Sequence, residues 1–140
     1  MFSLVTRIFL AFTFLIIVAV SPRNLFAGRN DSSHFTITAQ GLFDEYGKNE
    51  IAADEHYRQR QIIVGGIISK IGRDGEMPYV TLKCSETISA SAVAIGGVKC
   101  YFPAERQHSL TQLQVGRTCS VYGTVMGKHN REIVLQDCSL

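Results

Sequence analysis

The stretch Gln61–Ile71, QIIVGGIISKI, constrains this chain more than any other. It is a run of β-branched residues with two glycines, Gly65 and Gly66, at its centre. Ile62, Val64, Gly66 and Ile68 fall at alternate positions and so share one face of a strand. The alternation then breaks, because Lys70 stands where the next apolar residue belongs and Ile71 follows it. A slip of one residue just past a glycine is the mark of a β-bulge. A long strand bent in this way can pair with one neighbour along its first half and another along its second. Small closed barrels need such a strand, since a flat one cannot turn the corner.

The text downstream supplies further strands. PYVTLKC alternates with Val80, Leu82 and Cys84 on one face and Tyr79, Thr81 and Lys83 on the other. Gly72–Glu76 before it is rich in turn residues, and Ser85–Gly97 after it reads as a loop or a frayed hairpin end. GVKCYF puts Val98, Cys100 and Phe102 inside and Lys99 and Tyr101 outside, and Pro103 stops it. Residues 103–116 read as a short helix or crossover carrying Leu110 and Leu113. RTCSVYGTVMG aligns Cys119, Val121, Gly123 and Val125. Gly127–Asn130 turns the chain into a last strand, REIVLQDC. Five strands with a helix between the third and fourth is the order of an OB-fold barrel, so the expected class is mainly β, with the barrel over residues 61–140.

Upstream, Leu42, Tyr46, Ala53 and Tyr57 lie on one helical stripe, with Thr38 as a fair N-cap and Gly47 as a point where the helix breaks or kinks. Glu50, Asp54 and Glu55 face elsewhere and read as a solvated face. Residues 28–60 are therefore expected to be a polar tail followed by this helical segment. Residues 1–27 have the layout of a secretory signal peptide: Arg7 in a basic start, an uncharged apolar run from Ile8 to Val20, and small-residue exits at Ser21 and Ala27. The run is shorter than the roughly 20 residues that span a membrane. No cysteine follows it to carry a lipid anchor. The expectation is a periplasmic or secreted chain with no permanent membrane anchor.

Two of the 14 basic residues, Arg7 and Arg23, lie in the leader, and all 12 acidic residues lie beyond it. Without the leader the chain is formally neutral. That argues against affinity owed to phosphates. The four cysteines, Cys84, Cys100, Cys119 and Cys138, all follow the leader. In an exported chain an even count without CxxC spacing reads as two disulfides.

Nothing in the sequence assembles a catalytic constellation, a phosphate-binding loop, a cofactor motif or a metal site. His34, His56, His108 and His129 have no ligand spacing. The candidate binding surface is the outer face of the second and third strands, with Tyr79, Thr81, Lys83, Lys99 and Tyr101, and Arg73 and Lys128 on adjoining turns. OB barrels bind oligonucleotides and oligosaccharides on this face. The expected function is a non-enzymatic module without cofactor that binds a protein, glycan or small ligand of the cell envelope. Single-stranded nucleic acid, held on the tyrosines and lysines, is the disfavoured alternative.

The chain also resembles a known family. Leu42…Tyr46…Asn49…Ala53…Tyr57, Val64-x-Gly66-x-Ile68-x-x-Ile71, Tyr79-Val80-x-Leu82, Val98-x-Cys100-x-Phe102, Leu113-x-x-Gly116, Val121-x-Gly123 and Val134-Leu135-x-x-Cys138 follow in the order and spacing of the tRNA_anti-like family. The resemblance implies a barrel preceded by a helical segment, often exported, with no functional residue to carry over. It bears on the cysteines too. A two-residue turn at Lys128-His129 would set Cys119 opposite Cys138, but that register turns Ile133 and Leu135 outward. Burying Ile133 and Leu135 puts Cys138 off the inner face, unless a bulge restores it. In an OB barrel strands three and five are parallel neighbours, which places Cys100 and Cys138 at the same end. The resemblance agrees, since both residues sit in its cysteine-bearing motifs. Cys100–Cys138 with Cys84–Cys119 is the pairing this favours. Mass spectrometry of the exported protein should find residues 1–21 or 1–27 missing; a mass that retains residues 1–20 would refute cleavage.

Overall fold

A computed structural model describes residues 34–89 and 92–140. The expected leader and most of the polar tail lie outside the described residues. The chain runs through β1 (Phe35–Thr38), α1 (Ala39–Lys48), α2 (Glu50–Tyr57), β2 (Gln61–Asp74), β3 (Met77–Ser89), β4 (Ala92–Tyr101), a 3-10 turn (Ala104–Arg106), α3 (Gln107–Leu110), β5 (Thr118–His129) and β6 (Glu132–Ser139). The pairing order is β1-β2-β3-β4-β6-β5, and β2 pairs again with β5. Strands β2 to β6 thus close a ring with the connectivity of an OB-fold.

The bent strand closes the ring. Gln61–Ile67 pair with Thr118–Thr124 of β5, and Ile68–Asp74 pair with Met77–Leu82 of β3. The register with β3 shifts between Ile68 and Lys70. Ser69 is the extra residue, and its hydroxyl donates to the Thr81 carbonyl at 3.1 Å, so the bulge leaves that acceptor satisfied. Ile62, Val64 and Ile68 are fully buried on the inner face. With them lie Val80, Leu82, Cys84, Val98, Cys100, Phe102, Val121, Val125, Ile133 and Leu135.

The helical stripe is buried as well: Leu42, Tyr46, Ala53 and Tyr57 all join the core. Thr38 caps α1 by accepting from Gly41 N at 3.0 Å. The break falls at Asn49, which caps α2 by accepting from Ala52 N at 3.1 Å. Two tyrosine–carboxylate bonds tie the pair together, Tyr46 Oη to Asp54 Oδ1 at 2.9 Å and Tyr57 Oη to Glu45 Oε2 at 2.6 Å. Burial first, then the carboxylate partner, pushes the Tyr57 hydroxyl up to about 12. Asp54 is thus not part of a solvated face, because it meets a buried hydroxyl. The helix pair leans on glycines of the barrel. A Cβ on Gly66 would lie 3.0 Å from Ala39 Cβ, and one on Gly96 would lie 2.5 Å from the Phe43 ring. Gln40 pairs its amide with the backbone of Ser85, accepting from N and donating to O, both at 2.9 Å.

Four expectations need correction. Phe35–Thr38 is a short strand parallel to β2 rather than tail and helix; four residues at an edge leave no periodicity to read. Residues 85–97, read as a loop or a frayed hairpin end, are a paired hairpin and not a loop, with Ser85 opposite Ile95 and Thr87 opposite Val93. Its small and polar residues hid pairing that backbone bonds supply. The helix after Pro103 shrinks to one 3-10 turn and α3, with Leu110 buried. The β5–β6 turn lies at Asn130–Arg131, because β5 bulges near Gly127 (φ +113) and runs on to His129.

Gly66→Val should cost about 1–3 kcal/mol, since the added atoms meet Ala39 and, at 3.2 Å, Leu82 Cβ. Denaturant titration measures it; an unchanged midpoint would show that α1 has room to withdraw.

Candidate functional site

The outer face of β3 and β4 is set by cross-strand partners. Tyr79 lies opposite Tyr101 on β4 and opposite Gly72 on β2. Gly72 has no side chain, so the Tyr79 ring lies across it; a Cβ there would sit 2.9 Å from Tyr79 Oη. Thr81 likewise covers Gly97, whose Cβ would sit 2.6 Å from its methyl group. Tyr79 and Thr81 are consequently only 6% and 7% exposed. Both were expected to stand outward as contact residues. They do point away from the core, but neighbouring strands cover them.

Lys99 sits between the two tyrosines. Its ammonium is 4.3 Å from the Tyr79 ring centroid and 5.0 Å from that of Tyr101. The rings meet edge to face, 5.9 Å between centroids. Asp74, at the end of β2, closes the group. Its carboxylate lies 3.6 Å from Lys99 Nζ and accepts from Tyr101 Oη at 2.9 Å. Tyr101 chiefly, opposed by partial burial and assisted by Glu132 and Asp74, raises the Lys99 pKa. The Lys70 ammonium lies 5.7 Å from the Tyr79 ring centroid.

The structure therefore gathers Tyr79, Lys99 and Tyr101 into one cluster and adds Asp74 and Lys70, which the sequence reading did not include. Counting back across the two-residue Gly75–Glu76 turn would have found Gly72 opposite Tyr79 and Asp74 at the rim. Lys83 is exposed on the same face, opposite Gly97. Arg73 and Lys128 do not join. Arg73 donates to Gln107 beside α3, and Lys128 lies 5.9 Å from the Phe43 ring beside α1.

Elsewhere the surface carries open clefts. One of about 560 Å³ lies beside Thr38, Gly66, Cys119 and Ser120, and one of about 490 Å³ lies at the α1–α2 elbow beside Phe35, Glu45, His56 and Tyr57. Among the described residues no group of three His, Cys, Asp or Glu could hold a metal ion. No helix among them is long and apolar enough to cross a membrane.

The four thiols are unbonded. Cys84 lies on β3 opposite Gly96, and Cys119 on β5 opposite Gly66 of β2. The structure does not bring this expected pair together, because β2 runs between their strands. Burial raises the Cys84 thiol to about 12, with Asp44 contributing.

The tRNA_anti-like family model matches residues 1–139. The chain belongs to the tRNA_anti-like family. Among solved structures, this family member is similar to the “putative nucleic acid-binding lipoprotein” of Klebsiella pneumoniae. That match has 17% identity and a TM-score of 0.56, covering 77% of this chain and 92% of that one. More distant likenesses are to an OBody bound to hen egg-white lysozyme (15% identity, TM-score 0.40, covering 60% and 81%) and to a mitochondrial single-stranded DNA binding protein of S. cerevisiae (12%, 0.36, 58% and 92%). No curated protein matches the chain.

Lys99→Met should destabilise the domain by about 1 kcal/mol at neutral pH, through loss of the cation–π contacts. The Lys99 pKa is raised by folding, so its contribution is complete below about pH 10 and fades as pH rises past the folded value. Denaturation of both proteins at pH 8 and above pH 11 should show the difference narrowing; a constant difference would mean that packing, not charge, is lost.

Proposed function

We propose that this chain is a non-enzymatic binding module, exported to the cell envelope, that presents the outer face of β3 and β4 to a protein, glycan or small ligand there. The observation that carries the reading is the state of Lys99. Its charge already faces Asp74 and two tyrosine rings, and Tyr79 is covered. A nucleic-acid platform needs free cations and open ring faces. This face offers instead a paired charge and a covered ring, matched to a partner read by shape and hydrogen bonds. The leader of residues 1–27 supports export, and its removal leaves a neutral chain whose cysteines meet an oxidising compartment.

A second reading, single-stranded nucleic-acid binding, draws on one observation: Lys70 and Lys83 stand exposed around the cluster. The printed name of the Klebsiella pneumoniae protein points the same way. Titration of the full chain with a labelled oligothymidylate separates the readings. Dissociation constants weaker than about 1 μM at physiological salt are expected. Tight binding that falls steeply with added salt, and that Lys83→Gln weakens, would overturn the first reading. A photo-crosslinking residue at position 83 in the exported protein should yield discrete adducts with envelope components, whereas one at Arg117 should not; equal labelling at both sites would remove the β3–β4 face from the proposal.

A further inference from the structure

Cys100 and Cys138 come from separate strands and meet inside the barrel. β4 and β6 run parallel, with Cys100 opposite Leu135. Strict alternation past Leu135 would bury Asp137 and turn Cys138 outward. The burial pattern does the reverse: Gln136 and Asp137 are exposed and Cys138 is fully buried. A bulge makes the change. Thr124 pairs with Gln136 and Tyr122 with Ser139, so β6 carries one residue more than β5 over this span. Asp137 takes the left-handed conformation, φ +52, which aspartate tolerates better than most non-glycine residues. The backbone is thus bent at the residue that turns the Cys138 sulfur inward.

Two further contacts receive that sulfur. Gly123 of β5 leaves the space, since a Cβ there would lie 2.6 Å from Cys138 Sγ. Cys100 is fully buried on the same inner face, and the Cys138 thiol together with burial raises the Cys100 thiol well above its ordinary range. The other pairings lack such contact. The β5–β6 ladder ends at Tyr122–Ser139, short of Cys119, which pairs with Gly66 instead. Cys84 and Cys119 have β2 between their strands.

We propose that Cys100 and Cys138 form a structural disulfide under oxidising conditions, stapling the C-terminal strand to β4, while Cys84 and Cys119 remain thiols. The bond forms by thiol–disulfide exchange with a disulfide-bearing oxidant. The Cys138 thiolate attacks the oxidant, one oxidant thiol leaves, and the Cys100 thiolate then attacks the Cys138 sulfur and releases the second. The protein loses two protons and two electrons, and the oxidant's S–S bond becomes two thiols. Both sulfurs are fully buried in the closed barrel. Exchange therefore takes place while β6 is undocked, during folding.

The test is refolding of the reduced, denatured full chain in a mixture of oxidised and reduced glutathione. Alkylation under denaturing conditions and non-reducing peptide mapping follow. The expected result is one bridged peptide pair, Cys100 with Cys138, with Cys84 and Cys119 alkylated. Four alkylated thiols, or a bridge to Cys84 or Cys119, would overturn the proposal. Added reductant should lower the melting temperature of the wild type and leave that of Cys100→Ala/Cys138→Ala unchanged; the map, made on wild type, stands even if that variant fails to fold. The same map on protein taken directly from cells tests export separately: four thiols there, with the bridge forming on refolding, would refute export and leave the pairing standing.

Discussion

The barrel closes because one strand changes partners. β2 gives its first half to β5 and its second half to β3, and the change happens at Ile68. There the backbone is bonded on two sides. Ile68 N donates to Arg117 O and Ile68 O accepts from Gly116 N, while Leu82 pairs on the other edge. The Ser69 bulge directly after it adds the twist that lets the second half swing to β3. Without the extra residue, the alternation of Ile62, Val64 and Ile68 would continue onto a flat sheet with two open edges. The core depends on this, because the buried residues of β5 and β6 face those of β3 and β4 only in a closed ring.

Glycines then decide what lies against the barrel. Inside, Gly66 and Gly96 give α1 its footing through Ala39 and Phe43. Outside, Gly72 and Gly97 receive Tyr79 and Thr81. The same device thus brings the helices close and draws the outer face down onto the sheet. On that face the result is a cluster in which the Lys99 ammonium meets one carboxylate and two rings, with Lys70 at its edge. Such a cluster holds β2, β3 and β4 in register as much as it offers a surface. A partner would therefore meet the rim, where Lys83 and Lys70 are exposed, before it met the tyrosines.

Much of the architecture was legible because it rests on alternation. Val80-x-Leu82-x-Cys84 and Val98-x-Cys100-x-Phe102 bury one face each, and period two cannot be satisfied any other way. The stripe Leu42, Tyr46, Ala53 and Tyr57 was equally readable, since each residue carries its burial in its own type. The candidate site was legible only as a set of outward positions. Whether Tyr79 is open or covered depends on Gly72, seven residues away across a turn, and on Lys99, twenty residues away on the next strand.

The sequence by itself determined the bent strand, the inner faces of most strands, the capped helical segment and the formal neutrality of residues 28–140. These are local or compositional properties, set by residue type and spacing. Tertiary structure alone decided where β6 bulges, which face of β3 is sealed, and that Phe35–Thr38 pairs at all. Each of these depends on registers between distant strands, and a single bulge, such as those at Ser69, near Gly127 and at Asp137, shifts a register by one residue. A one-residue shift reverses which side chains point inward, so no count along the chain could reach the Cys138 sulfur without the Asp137 bend that the folded barrel imposes.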